Sequence, residues 1–432
     1  MAVSEVAAQA AYHGEFIPAI PMAASRSFHT ATALADGSVL LAGGADGTFV
    51  LTSTEIFNPE TGAFRLAADL SERRFQHAAV RLINGTVLIT GGRGRFESYV
   101  SSAELYDPAA KAFMPVGSMR DARATHTSTL LQDGRVLVTG GISERFRILE
   151  TAELFDPATN TFSPAGSMKS PRADHSASRL EDGRVLIIGG FTQGGSVGLV
   201  EVFDPRTNRF APVGQIGVAR GAHTSTLLPN GKLLVVGGVD SSDKRVGAVE
   251  LFDPAQGDSI FLDVPNLAPA RHTVTELSDG SLLFAGGQTR GDVWIGLAQL
   301  YLPGEDRFVN ANTMFLPRLN HTATLLQDGQ VLFAGGIGPG DRGVNVSELY
   351  TPDREPRRPA PLAAAPAPTP SSVEPAAPPP GPDVRDKSGG ACSAAGSGVY
   401  GGQLSLLLLP LGLAVGRRFQ GRACVRKLAR RR

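Results

Sequence analysis

Seven histidines recur at a nearly constant spacing, and they are the first residues of this chain whose type could support chemistry. They are His29, His77, His126, His175, His223, His272 and His321. A metal site needs three or four ligands converging at about 2 Å on one ion. Seven copies of one structural position, placed around a channel, do not converge in this way. We therefore expect each histidine to be hydrogen-bonded within its own repeat, and we expect no metal or other cofactor.

Arginine and glutamate recur with the histidines in six repeats and are both absent from the sixth. The arginines are Arg26, Arg74, Arg123, Arg172, Arg220 and Arg318, and the glutamates are Glu55, Glu104, Glu153, Glu201, Glu250 and Glu348. The sixth repeat has Pro269 and Gln299 at these positions. The loss of both residues from the same repeat predicts an Arg–Glu pair within each of the others, because removing one partner would leave the other charge unpaired. Such carboxylates would be structural rather than catalytic.

The elements that position these residues follow from a repeat of 48 or 49 residues. Seven Gly-Gly pairs mark it, and one copy reads HTSTLLQDGRVLVTGG at 126–141. A fixed period of this size is typical of solenoids and propellers. The Asp-Gly or Asn-Gly step in each copy predicts a two-residue type I′ hairpin. The apolar run after it, such as Val136–Val138, does not alternate and predicts a strand covered on both faces.

A third and a fourth strand complete each repeat. The third strand ends at Asp-Pro in four copies, as at Asp107-Pro108, which suits a type I turn. The fourth strand carries an aromatic residue: Phe64, Phe113, Phe162, Phe210, Phe261 and Phe308. A single four-stranded sheet cannot bury both of its faces, whereas several packed radially can. The chain is therefore predicted to be an all-β, seven-bladed β-propeller of four-stranded antiparallel blades.

The double glycine, the acidic-Pro turn and the fourth-strand aromatic together resemble the Kelch repeat family. The family has Trp on the fourth strand, where this chain has Phe. The resemblance covers roughly residues 14–352 and implies a propeller of Kelch topology. It implies little about function, because propellers host many unrelated activities.

The N-terminus is predicted to close the ring. Phe16 lies 13 residues before His29, the same interval that separates Phe113 from His126. The last repeat has no fourth strand after Tyr350. We therefore expect Gly14–Ala19 to supply the fourth strand of the seventh blade, which would remove an exposed edge.

The sequence predicts four regions: a disordered N-terminus at 1–13, the propeller at 14–352, a disordered linker rich in Pro and Ala at 353–391, and a short apolar and basic segment at 392–432. Small residues with Cys392, the apolar run 404–415 and Arg417-Arg418 resemble the C-terminal sorting tags of bacterial surface proteins, particularly the myxobacterial type. The resemblance implies an exported or cell-surface protein that contacts a membrane or a sorting enzyme through 392–432. The apolar run is shorter than the roughly 20 residues of a membrane span, and 1–13 is not a complete signal peptide. A start further upstream and a cytoplasmic protein both stay open.

Composition and motifs limit the classes of function that this chain can have. The 41 basic and 41 acidic residues sum to zero, so no nucleic-acid partner is expected. Both cysteines, Cys392 and Cys424, lie in the C-terminal region, so the propeller lacks the Cys–Tyr crosslink of galactose oxidase-type copper enzymes. No hydrolase, metalloprotease or P-loop motif is present. We expect a monomeric propeller that is not an enzyme. A glycan-active lyase or hydrolase with its site at the channel mouth, or a soluble cytoplasmic scaffold, is the alternative.

The loops after Gly-Gly change completely between repeats while the strand frame barely changes. Rigid scaffolds commonly carry function on such loops, and arginine and aromatic residues are enriched in interface hot spots. The predicted ligand-binding residues are Arg93, Arg95, Phe96, Tyr99, Arg145, Phe146, Lys244, Arg290, Trp294 and Arg342. Local packing is the alternative, for Trp294 and Phe146 especially. The sequence thus predicts a module that binds a protein or a glycan.

Overall fold

The computed structural model describes residues 13–263, 269–289 and 293–353, without the side chain of Glu97. Within these ranges the chain forms seven four-stranded antiparallel sheets, which confirms the predicted all-β, seven-bladed propeller. Two short hairpins and two single-turn 3-10 helices lie in the loops. The hairpins pair Phe191–Thr192 with Gly195–Ser196 and Ile337–Gly338 with Arg342–Gly343, and the helices are Arg95–Glu97 and Glu144–Phe146.

The strands follow one another in chain order. The first part of the chain contains β1 (Glu15–Pro18), β2 (Thr30–Ala33), β3 (Val39–Ala42), β4 (Thr54–Asn58), β5 (Ala63–Leu66), β6 (Ala78–Arg81), β7 (Val87–Thr90), β8 (Ala103–Asp107), β9 (Ala112–Pro115), β10 (Thr127–Leu130), β11 (Val136–Thr139), β12 (Thr151–Asp156) and β13 (Thr161–Ser167). The middle contains β14 (Ser176–Arg179), β15 (Val185–Ile188), β16 (Phe191–Thr192), β17 (Gly195–Ser196), β18 (Leu199–Asp204), β19 (Arg209–Gln215), β20 (Thr224–Leu227), β21 (Leu233–Val236), β22 (Val249–Asp253) and β23 (Asp258–Leu262). The last part contains β24 (Thr273–Glu276), β25 (Leu282–Ala285), β26 (Leu297–Leu302), β27 (Arg307–Thr313), β28 (Thr322–Leu325), β29 (Val331–Ala334), β30 (Ile337–Gly338), β31 (Arg342–Gly343) and β32 (Ser347–Thr351).

The ring closes through the N-terminal strand, as predicted. The seventh blade has the order β1-β32-β29-β28, and Phe16 of β1 stands opposite Tyr350 of β32. The Phe16 and Tyr350 rings are 5.1 Å apart, and the Tyr350 hydroxyl donates to the backbone carbonyl of His13 at 2.6 Å. Closure therefore joins the first described residues to the last strand.

The hydrophobic core lies between blades rather than inside any one of them. Leu137 and Leu154 of the third blade pack in one cluster with Val185, Ile187 and Phe203 of the fourth. The second strands are buried along their whole length because a neighbouring blade covers each face. A blade thus gains most of its stabilisation from its neighbours.

The Asp-Gly and Asn-Gly hairpins differ from the predicted type I′ turns. At the first of them only Gly37 has positive φ, and Gly37 N–H donates to the carbonyl of Leu34. This is a type I turn followed by a left-handed glycine. The Asp36 carboxylate accepts from Ser38 N–H at 3.0 Å. Asp and Asn are required here for that side-chain bond rather than for positive φ.

The fourth-strand aromatic packs on the third strand in six blades, as in Phe155 with Phe162 at 5.0 Å. The fifth blade is the exception. Ser259 pairs with Phe252 there, and Phe261 is largely exposed. The register is the same as in the other blades, because Asp253 pairs with Asp258 as Asp156 pairs with Thr161. Phe261 therefore lies on the fourth strand as predicted, but two residues beyond the aromatic position, which Ser259 occupies.

Residues from 354 on, which include nearly all of the predicted linker and the whole predicted sorting segment, lie outside the described residues, as do residues 1–12. In the ranges that the structure describes, no helix is long and apolar enough to cross a membrane.

Candidate functional site

The Gly-Gly pairs bring each blade against the next. Gly140 and Gly141 both have positive φ, and a Cβ on Gly140 would lie 2.3 Å from the carbonyl oxygen of Arg172. This close approach lets Gly141 N–H donate to the Arg172 carbonyl at 2.9 Å. The same bond recurs at all seven blade junctions, including the sixth, where Pro269 supplies the carbonyl. Glycine is thus needed at both positions for steric and conformational reasons.

The seven histidines form hydrogen bonds between blades, which corrects the expectation of bonds within each repeat. Each Nε2 atom bonds to a hydroxyl of the preceding blade at 2.8 to 3.1 Å. The pairs are His29–Thr322, His77–Thr30, His126–Thr90, His175–Thr127, His223–Ser176, His272–Thr224 and His321–Thr273. A periodic sequence cannot distinguish a partner in the same blade from one in the next.

Burial keeps these histidines neutral. Burial, together with the nearby Arg74 and Arg172 guanidiniums, lowers the pKa of His77 and His175 to about 3, and burial lowers that of His272 to about 4. The pKa of the other four histidines is also well below the usual value, for the same first cause. A neutral imidazole fits a hydroxyl partner.

The six predicted Arg–Glu pairs are confirmed. Four have N–O distances of 2.6 to 2.8 Å: Arg26–Glu55, Arg74–Glu104, Arg123–Glu153 and Arg172–Glu201. Arg220–Glu250 and Arg318–Glu348 pair in the same way. Each arginine also donates to at least two backbone carbonyls, as Arg123 does to Gly140 and Thr151. These side chains are structural because their hydrogen-bonding groups hold the blade together.

One face of the ring carries the variable loops. The segments after Gly-Gly and the links between blades meet there, since residues such as Ala124 and Ile142 form bridges between link and loop. We call this the long-loop face. The Asp-Gly turns lie at the other ends of the second strands, on the opposite face.

Three phenylalanines stand exposed at equivalent loop tips of blades 1, 2 and 3 on this face. Phe49, Phe96 and Phe146 have exposed fractions of 58%, 96% and 41%. Phe96 and Phe146 adopt positive φ, which side chains other than glycine adopt at a cost. The tips are held by short backbone bonds, such as Gly94 N–H to the Ser98 carbonyl at 2.8 Å. The three rings are thus presented to solvent by fixed backbone.

Two predicted residues of the second-blade loop hold that loop together. Arg93 is buried, and its guanidinium lies 5.6 Å from the Phe75 ring and 5.3 Å from the Tyr99 ring. Arg93 and Tyr99 thus support the tip from below. Arg95 is exposed beside Phe96, with its guanidinium 5.9 Å from that ring.

The remaining predicted residues are spread around the face. Arg145 is exposed at the third-blade tip next to Phe146, while Lys244 and Arg342 are exposed on the fifth and seventh blades. Trp294 is partly buried, and its buried Nε1 atom has no hydrogen-bond partner among the described residues. Arg290 lies outside the described residues. The structure thus brings Arg95, Phe96, Arg145 and Phe146 onto neighbouring blades and leaves the others apart.

Sequence reasoning missed two groups. Phe49 was missed because Asp46-Gly47-Thr48 reads as an ordinary turn. The second group is the residue before each histidine, which differs in every repeat: Phe28, Gln76, Thr125, Asp174, Ala222, Arg271 and Asn320. All seven have positive φ and partial exposure. Their variability inside a constant frame was the signal that could have identified them.

The comparisons with known proteins concern the fold. The family model of the Kelch motif matches residues 74–120, and with the seven-bladed architecture it supports a Kelch-repeat β-propeller. No curated protein matches the chain. Among solved structures 795 chains match, so this shape is widely shared. One is described as a novel fungal alcohol oxidase with catalytic diversity among the AA5 family, in complex with copper. It has 17% sequence identity and a TM-score of 0.63, over 80% of this chain and 79% of that chain.

The expectation that this propeller is not an enzyme is contradicted, because an oxidase has the same fold over about four fifths of both chains and the fold therefore does not exclude an enzyme. At 17% identity the likeness shows the fold alone, so the oxidase's activity is a property of that protein. The histidines described above do not fit copper, because each Nε2 atom is bonded to a hydroxyl at a different blade junction. No three His, Cys, Asp or Glu residues in the described ranges lie together as metal ligands.

Proposed function

We propose that the propeller binds a protein partner through the long-loop face, with Phe49, Phe96 and Phe146 as the central contacts. The observation that carries this proposal is the exposure of three aromatic rings at equivalent tips of three neighbouring blades. Covering exposed aromatic rings with a partner surface removes apolar area from water and is therefore favourable. Their position on one arc favours a single partner that covers all three.

The flanking charges support a protein interface. Arg95, Arg145 and Arg147 are exposed beside the rings, and arginine with aromatic residues is typical of binding hot spots. The backbone bonds within each tip lower the cost of ordering the loops on binding. We name this set of three rings and three arginines the aromatic arc.

Affinity capture with matched variants tests the proposal. The tagged full chain serves as bait in extracts of its native cells, beside a variant with Phe49, Phe96 and Phe146 changed to Ser. A control variant carries Leu66→Ser, Met114→Ser and Ile260→Ser, which removes three equally exposed apolar side chains from outer strands. We expect one protein to be retained by the parent and the control and lost by the arc variant. Equal retention by all three would contradict the proposal.

We further propose that the protein acts at a bacterial cell surface as a monomeric propeller. The support is the sequence of 392–432, which resembles a sorting tag and lies outside the described residues. Fractionation of native cells, with the mass of the mature C-terminus, tests this location. A surface form cleaved near Cys392 is expected, and an intact cytoplasmic chain would contradict it.

A further inference from the structure

Seven peptide groups form a closed hydrogen-bonded circle around the central channel, at the mouth on the long-loop face. In each case the residue before the histidine donates its N–H to the carbonyl of the equivalent residue in the preceding blade. The distances are 3.0 Å for Gln76 to Phe28, 3.0 Å for Thr125 to Gln76, 3.2 Å for Asp174 to Thr125, 3.0 Å for Ala222 to Asp174, 3.4 Å for Arg271 to Ala222, 3.3 Å for Asn320 to Arg271 and 3.3 Å for Phe28 to Asn320. The innermost strands contact one another in the same order around the ring.

The circle is a constant backbone that carries seven different side chains. The inter-blade bonds on either side of it, from Gly-Gly and from the histidines, recur at every blade. The side chains of the circle comprise one carboxylate, one guanidinium, two amides, one hydroxyl, one phenyl ring and one methyl group. A purely structural circle would not need this diversity, because its bonds are made by the backbone alone.

Two polar atoms of the circle are buried without a hydrogen-bond partner among the residues that the structure describes. They are the hydroxyl oxygen of Thr125 and the amide nitrogen of Asn320. A buried polar atom without a partner costs free energy that a suitable ligand or water would recover. Both residues keep partial exposure although these two atoms are covered, so a ligand would bond to them after their side chains turn toward the mouth.

Asp174 adds a strong acceptor next to Thr125 on the circle. Burial raises the pKa of Asp174 to about 6, although the Arg271 guanidinium lowers it. The carboxyl is thus surrounded by protein, while Asp174 as a whole residue keeps partial exposure. A group that donates a hydrogen bond to this carboxylate would replace the hydration that burial removes.

These groups together select the chemistry of the ligand. Asn320 offers an amide donor, Asp174 offers acceptors, and the Thr125 hydroxyl can act as either. A hydroxyl group can donate to the carboxylate and accept from the amide, whereas an ammonium group only donates and a carboxylate ligand only accepts. Phe28, whose ring is 6.1 Å from that of Phe75, adds an apolar face to the same circle.

We propose that the channel mouth binds a neutral sugar residue, with Asp174, Thr125 and Asn320 bonding its hydroxyl groups and Phe28 packing against its carbon–hydrogen face. This site is separate from the aromatic arc and does not depend on it.

Titration of the full chain with neutral sugars tests the proposal. The probes are glucose, galactose, mannose and N-acetylglucosamine, followed by calorimetry and ligand-observed NMR at neutral pH. Glucosamine and glucuronate serve as charged counterparts. We expect saturable binding of at least one neutral sugar, at least tenfold weaker in Asp174→Asn and several-fold weaker in Asn320→Ala and Thr125→Val.

Two controls keep the outcome decisive. Ile83→Ser on the opposite face removes a side chain that is 72% exposed, and it should bind like the parent. Unchanged thermal melting of Asp174→Asn would show that its loss of binding is not a loss of folding, since the circle is made by backbone groups. Absence of saturation by every neutral sugar up to about 50 mM, binding of the charged sugars alone, or unchanged binding in Asp174→Asn and Asn320→Ala would each overturn the proposal.

Discussion

The sixth blade and the third blade differ in one feature that recurs around the ring and share two others. The third blade has the buried Arg123–Glu153 pair, while the sixth has Pro269 and Gln299 instead. Both blades keep the Gly-Gly to carbonyl bond and the histidine to hydroxyl bond at their junctions. Contacts between blades are thus present at all seven junctions, whereas the ion pair within a blade is dispensable in one. The comparison indicates that closure of the ring, more than the completeness of any blade, determines this fold.

Removal of β1 should destabilise the protein more than any other change considered, because it opens the ring. A chain lacking residues 1–18 loses Phe16 and its pairing with β32. Since the blades stabilise one another, we expect a fall in melting temperature of more than about 10 °C, or aggregation through the exposed edge. Circular dichroism melting and gel filtration measure both. A chain lacking only residues 1–12 is the control, and equal melting of the two truncations would refute closure by β1.

Acid should weaken all seven junctions at once. The histidines have a lower pKa in the folded protein than the usual value near 6.5, so the unfolded chain binds more protons between about pH 6.5 and pH 3 to 4. Stability is therefore retained above pH 6.5 and lost as the pH falls. Over this range each histidine lowers the free energy of unfolding by about 1.4 kcal/mol for every unit that the pH falls. Asp174, whose pKa is raised to about 6 in the folded protein, acts in the opposite direction and cancels the effect of one proton. The free energy of unfolding, measured with urea at pH 7.5, 6 and 5, should decline steeply as the pH falls. In His126→Gln the slope of this decline should be smaller by about one proton. A free energy of unfolding that does not change with pH would contradict the conclusion that the seven histidines are neutral in the folded protein.

Glu153→Gln should destabilise the third blade by about 2 kcal/mol, because Arg123 stays buried with only the more distant Asp121 carboxylate, 3.7 Å away, as counter-charge. Gln299→Ala at the same position of the sixth blade should cost less than about 1 kcal/mol, since no arginine depends on it. Urea unfolding measures both changes. Equal costs at the two positions would show that the ion pair carries no special weight.

Thr224→Val should have a smaller effect of about 1 kcal/mol, since it removes the hydroxyl partner of His272 Nε2 and keeps the shape of the side chain. Thr226→Val, two residues along the same strand, tests the substitution alone. We expect Thr226→Val to have the higher unfolding midpoint of the two variants. Indistinguishable midpoints would mean that the junction bond contributes little.

The sequence was sufficient for the architecture because the architecture is periodic. The Gly-Gly spacing predicted seven blades, the interval from Phe16 to His29 predicted closure, and the joint loss at Pro269 and Gln299 predicted the ion pairs. The same periodicity concealed the histidine partners, since residues one blade apart occupy equivalent positions in every copy. The turn type was missed because Asp36 acts through its side chain rather than its φ.

The candidate site was predictable only in part. Phe96, Phe146, Arg95 and Arg145 were identified as loop residues, and they do lie together at exposed tips. Arg93 and Tyr99 were placed in the same set, yet stacking makes them supports of the loop, which no local pattern reveals. The circle at the channel mouth depends on contacts between residues about 49 positions apart. A local reading of the sequence cannot recognise these contacts before the ring is built.

Photo-crosslinking from defined positions tests most directly whether the long-loop face is the binding face. A photoreactive phenylalanine analogue placed at Phe96, which is 96% exposed, is compared with one at Ile83 on the opposite face, which is 72% exposed. Both variants are irradiated in native cells, and adducts are identified by mass spectrometry. The proposal predicts one specific protein adduct from position 96 and none from position 83. The same adduct from position 83, with none from position 96, would contradict it.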